Sequence, residues 1–151
     1  MIAMMARRIA FRARLTAAMA AVIAPLMTMP VSAGDAGALS IELNRLEQAG
    51  SACRVTFVAG NTLGADLEGM SLEIVIFDDK GLVRRMTLFD FGALPAGRQR
   101  VRQFELSDTR CETVTRVLVN GVADCTGANL DKGTCSEALR LTNKTETEFA
   151  G

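Results

Sequence analysis

The chain has 151 residues, a length that predicts one domain rather than two, and it contains no His, Trp or Tyr. The absence of His excludes His-based acid–base catalysis, His metal sites and Ser–His–Asp triads. The first 33 residues hold four Arg and no acidic residue, so the other 118 carry 13 basic and 17 acidic side chains, and this net charge of −4 argues against a nucleic-acid binder with a basic face.

Residues 1–33 have the pattern of a secretory signal peptide. A basic segment precedes the apolar run Leu15–Met29, and Val31–Ala33 supplies the small residues of a cleavage site, with Ala36–Ala38 as a second candidate. The apolar run is shorter than the roughly 20 residues that a membrane-spanning helix needs, which favours a cleaved leader over an uncleaved anchor. We therefore expect residues 34–151 to form the mature domain.

The leader also indicates a compartment. The pair Arg7-Arg8, followed by Phe11, resembles a twin-arginine export signal, although the apolar pair of that signal usually lies one position earlier. General secretion is the alternative route, because paired arginines are ordinary in leaders. A leader rich in Ala and Arg is typical of bacteria, so we expect a periplasmic protein without a membrane span after cleavage.

Four cysteines lie in the predicted mature domain: Cys53, Cys111, Cys125 and Cys135. An even number in an exported domain predicts two disulfides, with three possible connectivities. No C-x-x-C pair is present and no His is available, which argues against a metal centre or a redox dithiol. We favour Cys53–Cys111 and Cys125–Cys135, because the first would bridge two facing strands and the second would pin the loop between the last two.

The mature domain shows the period-2 alternation that predicts β-strands, and it has no long amphipathic helix pattern. The strongest turn signals are Asp78–Gly81 and Leu94–Gly97. The predicted strands span residues 39–44, 53–59, 71–77, 82–91, 98–106, 113–123 and 138–147. The third is apolar enough to be central, and the fourth is expected at a sheet edge. This order predicts an antiparallel, immunoglobulin-like β-sandwich of about seven strands.

The fifth predicted strand carries conflicting signals. Arg98, Arg100 and Arg102 share the parity of Phe104 and Leu106. Because one face would then be both solvated and buried, we expect a β-bulge near residues 102–103.

The sixth predicted strand contains Asn120-Gly121, which is a type I′ hairpin signal. A hairpin here would fold residues 114–119 back on 122–125. We expect a single strand instead, because the second arm of the hairpin would be very short.

Two of the turns lie within a stretch that resembles a known family. An apolar strand ends in Phe77 and the turn Asp78–Gly81, and the turn Leu94–Gly97 then precedes the next strand. Over about half of the mature chain, this order resembles bacterial extracytoplasmic immunoglobulin-like modules of the FxLYD type. The chain departs from the family at Phe77, where Tyr is frequent, and in its cysteines, which the family does not require. The resemblance implies a non-catalytic adhesion, scaffolding or envelope-associated domain.

Positive charge is concentrated in one part of this acidic domain. The residues are Arg84 and Arg85 on the fourth predicted strand and Arg98, Arg100 and Arg102 on the fifth. A stripe across neighbouring strands would suit an anionic sugar, a lipid headgroup or a protein partner. The alternative is a solvated edge whose charges prevent strand-to-strand aggregation, with Asp90 and Glu105 as ion-pair partners.

Two acidic segments are weaker candidates for chemistry. The loop Asp124–Asp131 collects oxygen-bearing side chains, but its spacing does not match a calcium-binding EF-hand loop. Asp78 and Asp79 are adjacent carboxylates that point apart at a strand end, and a turn explains both. We therefore expect neither a metal nor a cofactor.

These features predict an exported, non-catalytic interaction or structural module of the bacterial envelope, present as a monomer or weak homodimer. Its partner would be an unidentified envelope protein rather than a nucleic acid. An enzyme is not expected, because a Ser nucleophile without His would need a Lys base, and the mature lysines lie near turns or in the tail. The alternative is a periplasmic ligand- or ion-binding protein that uses the Asp124–Asp131 loop or the arginine stripe.

Overall fold

The alternation of apolar and polar residues becomes eight β-strands in the computed structural model, which describes residues 37–151. The strands are β1 (Leu39–Ala49), β2 (Ala52–Asn61), β3 (Leu67–Phe77), β4 (Val83–Asp90), β5 (Arg98–Leu106), β6 (Arg116–Gly127), β7 (Leu139–Asn143) and β8 (Glu148–Ala150). A 3₁₀ turn, Cys111–Thr113, precedes β6, and the helix α1, Lys132–Ala138, precedes β7. The predicted signal peptide lies outside the described residues. Among residues 37–151, no helix has the length and apolar character needed to span a bilayer.

The strands pack as a sandwich of two four-stranded sheets, which confirms the all-β prediction. The first sheet has the order β5-β2-β1-β7, and the second has the order β4-β3-β6-β8. The pairs formed among β1 to β6 are antiparallel, but β7 pairs parallel with β1, and β8 pairs parallel with β6. The purely antiparallel prediction is wrong for these two pairs. A short hairpin makes its strands antiparallel, whereas β7 and β8 reach their partners β1 and β6 through longer connections, which also allow parallel pairing.

The hydrophobic core lies between the two sheets. Alternate residues of β1 and β3 supply much of it, and Phe57 on β2 is fully buried. The ring of Phe57 contacts Phe89 of β4 and Phe104 of β5, with centroids 5.8 and 6.0 Å away. Phe89 and Phe104 stack on each other at 4.1 Å between centroids. These rings join the last strand of one sheet to the last strand of the other, and we call that side of the sandwich the β4/β5 flank.

Both predicted disulfides form, and the favoured pairing is confirmed. Cys53 of β2 is bonded to Cys111 in the 3₁₀ turn, with 4.9 Å between Cα atoms. Cys125 of β6 is bonded to Cys135 of α1, with 6.5 Å between Cα atoms. The described residues contain no free cysteine. Two such bonds are typical of proteins that fold in an oxidising compartment.

The β-bulge predicted in β5 is wrong. The pairing of β2 with β5 runs without a register shift from Cys53 opposite Leu106 to Asn61 opposite Arg98. Arg102 does share the inward face with the apolar residues, but its Nε donates to the carbonyl of Phe91 at 2.6 Å. Along this face, burial decreases from Leu106, which is buried, to Arg98, which is exposed, so apolar and charged residues share the face without a bulge.

The single-strand prediction for β6 is confirmed across Asn120 and Gly121. Two bulges absorb the local irregularity. On β3, Ile74 faces Val119 while Glu73 faces Gly121, so Asn120 is an extra residue in the ladder. A second extra residue follows at Ala123.

The last predicted strand, residues 138–147, is wrong in its extent. Asp131 caps α1 by accepting hydrogen bonds from the backbone and hydroxyl of Thr134, and the helix continues to Ala138. The strand after it ends at Asn143, whose side chain closes a turn by bonding the Thr145 backbone N–H at 2.9 Å. The strand β7 therefore covers residues 139–143 of the predicted strand, Ala138 is the last residue of α1, and residues 144–147 form the turn before β8.

Candidate functional site

The strongest surface feature is a group of exposed apolar side chains on and beside β4. Leu82, Val83, Met86 and Leu88 are 61%, 59%, 59% and 60% exposed. We call these four side chains the β4 apolar surface. Isolated apolar residues are common on protein surfaces, but four exposed apolar side chains on and beside one edge strand are typical of an interaction site.

The neighbouring strands extend this surface over the outer face of the sheet. Met86 lies opposite Val75 of β3, and Val75 lies opposite Leu118 of β6. Val75 points outward yet is only 3% exposed, so its neighbours cover it. Next to this row, the guanidinium of Arg116 lies 5.2 Å from the ring centroid of Phe77. The apolar row therefore continues inward from the edge strand as far as Ala150 of β8, which pairs with Leu118.

The backbone of β4 offers hydrogen-bonding groups along its outer edge. The N–H of Phe91 donates to the carbonyl of Met70 on β3 at 2.8 Å. Successive residues of an antiparallel ladder direct their N–H and C=O groups to opposite sides. Those of Met86, Leu88 and Asp90 therefore point to the open side, where no strand of residues 37–151 pairs with β4.

The predicted arginine stripe is not continuous, because β4 and β5 belong to different sheets. Arg84 and Arg85 donate to the carbonyls of Asp108 and Ser107, at 2.9 and 3.1 Å, beyond the C-terminal end of β5. Arg98 begins the same strand, about 26 Å away at roughly 3.3 Å per residue. The arginines are therefore placed at the two ends of the flank.

Several of these guanidinium groups bind the chain itself. Arg102 donates from Nε to the carbonyl of Phe91 and from Nη2 to that of Ala93 (3.3 Å). The acid predicted as a partner for the stripe, Glu105, instead pairs with Arg54 of β2 at 2.8 Å. This contact raises the pKa of Arg54, chiefly through the side-chain hydrogen bond. Most of the positive charge thus stabilises chain ends and strand pairs.

The Asp124–Asp131 loop does not assemble a metal site. Asp131 is the cap of α1, and the hydrogen bonds from the Thr134 backbone and hydroxyl lower its pKa. Asp124 lies on β6, opposite Ser71 of β3. Among the described residues, no three His, Cys, Asp or Glu side chains lie close enough together to hold a metal ion.

The carboxylates of the β3–β4 turn have a structural role. Asp78 Oδ1 accepts the backbone N–H groups of Lys80 and Leu82, at 2.9 and 3.0 Å. The bond from Leu82 is the main reason why the pKa of Asp78 is lowered. Gly81 completes the turn at a φ of +73°, which a residue with a Cβ rarely adopts. This geometry is that of a turn rather than an acid–base pair.

Two open clefts lie on the surface formed by residues 37–151. One, of about 620 Å³, is lined by Gln48, Arg110 and Cys111 among others. The other, of about 420 Å³, lies at the start of β5 and is lined by Asn61, Arg98 and Gln99. Asn61 is buried, and its side-chain amide donates to the carbonyl of Leu94 at 2.7 Å, so this polar group already has a partner.

The sequence pattern did not single out Met86 and Leu88. Their alternation with Arg85 and Thr87 is visible in the sequence, but Phe89 has the opposite parity and is also apolar. Period-2 reasoning cannot choose the buried face of a strand when both faces are partly apolar. Packing of Phe89 against the core decides it.

Comparisons of the chain with protein-family models, curated proteins and solved structures find no match. Function therefore has to be inferred from the residues and their geometry. The feature that this geometry isolates is the β4 apolar surface.

Proposed function

We propose that the protein is an exported, non-catalytic interaction module of the bacterial envelope, and that it contacts its protein partner through the β4 apolar surface. The observation that carries this proposal is the exposure of Met86 and Leu88 on a strand whose outer edge has no partner among residues 37–151. Apolar side chains beside unpaired backbone groups favour association with another polypeptide.

An immunoglobulin-like arrangement is part of the proposal. Such an order places the second and sixth strands in facing sheets, and β2 and β6 are in different sheets. The Cys53–Cys111 bond, which joins β2 to the turn before β6, is in keeping with this arrangement. We retain the resemblance to FxLYD-type modules as a hypothesis, supported by the turns at Asp78–Gly81 and Leu94–Gly97.

A periplasmic location follows from the leader pattern and the two disulfides. The intact mass of the exported protein, measured with and without a thiol-alkylating reagent, tests it. We expect a chain that starts at Gly34, lacks the four hydrogens lost in two bridges, and takes up no reagent. An unprocessed chain, or uptake of reagent by its cysteines, would contradict this location.

The interaction surface is tested by placing a photo-crosslinking amino acid at Met86 in the full exported chain. We expect irradiation of intact cells to give a discrete adduct of higher mass. The matched control carries the same group at Glu47, an exposed position on β1. If Met86 gives no adduct, or no more than Glu47 does, the β4 apolar surface is not an interaction site.

A ligand- or ion-binding role is the competing function. It predicts that Ca²⁺ or a polyanion raises the melting temperature of the purified protein. The engagement of Asp131 and Arg102 within the chain argues against it.

A further inference from the structure

We propose that the occupant of the β4 apolar surface is a second copy of this chain, bound by antiparallel β4–β4 pairing about a two-fold axis that passes Thr87. This inference rests on the proposed function, because it takes the surface to be an interaction site and names what covers it. The side chains, the backbone and the register of β4 each support it.

The outward side chains of β4 are self-complementary about Thr87. With the axis there, Met86 of one copy lies opposite Leu88 of the other. Arg84, the extra residue of a β-bulge between Val83 and Arg85, is brought near the level of Asp90. Opposed apolar pairs and opposite-charge pairs stabilise neighbouring antiparallel strands, and two-fold symmetry makes each pair occur twice. Thr87 would face its own copy, which is also a favourable pair.

The charged ends of β4 are available for these contacts. Arg84 and Asp90 are both exposed. Arg84 uses Nη2 for the carbonyl of Asp108, and Asp90 uses Oδ1 for the N–H of Gly92 at 2.8 Å. Among residues 37–151, the remaining N–H groups of Arg84 and the Oδ2 atom of Asp90 have no partner. Each group therefore keeps hydrogen-bonding capacity that its present bond does not use.

The backbone fits the same register. Met86 and Leu88 direct their N–H and C=O groups to the open side, since the N–H of Phe91 bonds β3. In the proposed pairing, Met86 and Leu88 of opposite copies exchange both backbone hydrogen bonds, and Thr87 sits at a non-hydrogen-bonded position. The two second sheets then form one continuous sheet.

Other registers lose the complementarity. One strand can slide past the other only by two residues at a time if the outward side chains are to stay on the same face. Each such slide moves the two-fold axis by one residue. An axis at Met86 would place Arg84 opposite Leu88, and an axis at Leu88 would place Asp90 opposite Met86. Only the axis at Thr87 pairs charge with charge and apolar with apolar.

The first test is sedimentation velocity over a concentration series, using the full chain expressed with export and purified with its disulfides intact. We expect a reversible monomer–dimer equilibrium. Leu88→Lys should raise the dissociation constant about tenfold or more, because the buried charge occurs twice at a two-fold contact. The matched control is Val101→Lys on β5, which replaces a side chain of the same 60% exposure and should leave the constant unchanged.

A charge exchange tests the register itself. Arg84→Asp and Asp90→Arg should each weaken the dimer, because each puts like charges opposite one another. The double variant, Arg84→Asp with Asp90→Arg, should restore much of the association. Melting temperatures of all variants identify any that fail to fold. Weakening by both single changes without rescue by the double change would overturn this register.

The outcomes separate this inference from the proposed function. If Met86 crosslinks in cells to a chain of different mass and the purified protein stays monomeric, the interaction surface stands and the second copy is wrong. If the purified protein dimerises equally well as the Leu88→Lys variant, the β4 dimer is wrong. A crosslinked product of twice the chain mass, lost in Leu88→Lys, is the result expected here.

Discussion

The two edge strands of the β4/β5 flank, β4 and β5, are alike on their inward faces and differ on their outward faces. Inside, Phe89 of β4 and Phe104 of β5 stack on each other and on Phe57. Outside, β4 presents Met86 and Leu88 in succession. On β5 the only large apolar side chain exposed is Val101, which lies between polar residues.

The difference shows that the number of charges on an edge does not by itself decide whether the edge resists pairing. Both strands carry arginines. An antiparallel self-pairing of β5 about Val101 would place Arg100 opposite Arg102 of the other copy, and like charges in that position are unfavourable. On the outward face of β4, Arg84 and Asp90 lie at opposite ends and attract each other in the corresponding pairing. The placement of charge protects β5 and leaves β4 open to association.

The largest expected effect on stability comes from removing Phe57, the buried ring that both edge strands contact. Phe57→Ala should lower the free energy of unfolding by about 3–5 kcal/mol, the usual range for removing a buried aromatic ring. Its ring is fully buried and contacts both edge strands. Denaturant unfolding measures the change.

The control for Phe57→Ala is Phe77→Ala on the outer face of β3, which is only half-buried and should cost less. Equal losses for the two variants would mean that the flank is not anchored by the aromatic cluster.

A smaller effect is expected from Arg102 of β5, which donates hydrogen bonds to the segment that follows β4. Arg102→Met should cost roughly 1–2 kcal/mol, because it removes charged hydrogen bonds to the carbonyls of Phe91 and Ala93. Arg100→Met is the matched control, since the Nη1 of Arg100 donates to the carbonyl of its own neighbour, Gln99. Its expected cost is within about 0.5 kcal/mol. Chemical denaturation of both variants checks the difference, and a reversed order would refute the role of Arg102.

The smallest effect concerns the turn before β4 and depends on pH. The folded-state pKa of Asp78 is lowered by the hydrogen bond from the Leu82 backbone. Its carboxylate therefore stabilises the fold above the unfolded value, about 3.9, and this contribution is lost as the pH falls through the folded value. Asp78→Ala should lower the melting temperature at neutral pH, and the gap to the unmodified protein should close in acid.

Asp79→Ala is the comparison for this pH series, because Asp79 accepts no hydrogen bond among residues 37–151. Its melting temperature should follow that of the unmodified protein at every pH. A gap for Asp78→Ala that persists unchanged in acid would exclude the carboxylate as the cause.

Local patterns were sufficient for much of the fold. Alternation located the strands, the Asp78–Gly81 turn was recognisable from its residues, and the position of Cys53 and Cys111 relative to the strands predicted their bond. The prediction of β4 as an edge strand is also confirmed. These features depend on neighbours in sequence or on the order of the strands along the chain. They can therefore be predicted without knowing how individual side chains pack.

The errors arose where packing at a distance decides between local options. The arginines of β5 suggested a bulge, yet Arg102 reaches carbonyls beyond the strand without one. The last predicted strand was too long, because the turn at Asn143 ends β7 there. The helix α1 before it, which the Asp131 cap and the Cys125–Cys135 bond fix, was not predicted. The arginine stripe assumed that consecutive strands are neighbours in one sheet, and β4 and β5 are not.

The sequence by itself determined a disulfide-bonded all-β domain, because period-2 patterning, turn residues and cysteine positions act locally or through simple strand order. Only the tertiary structure decided which face of β4 is buried and which strands are neighbours in each sheet. That choice depends on the packing of Phe57, Phe89 and Phe104 between the sheets. Once Phe89 is inside, Met86 and Leu88 are outside, since successive side chains of a strand point to opposite faces.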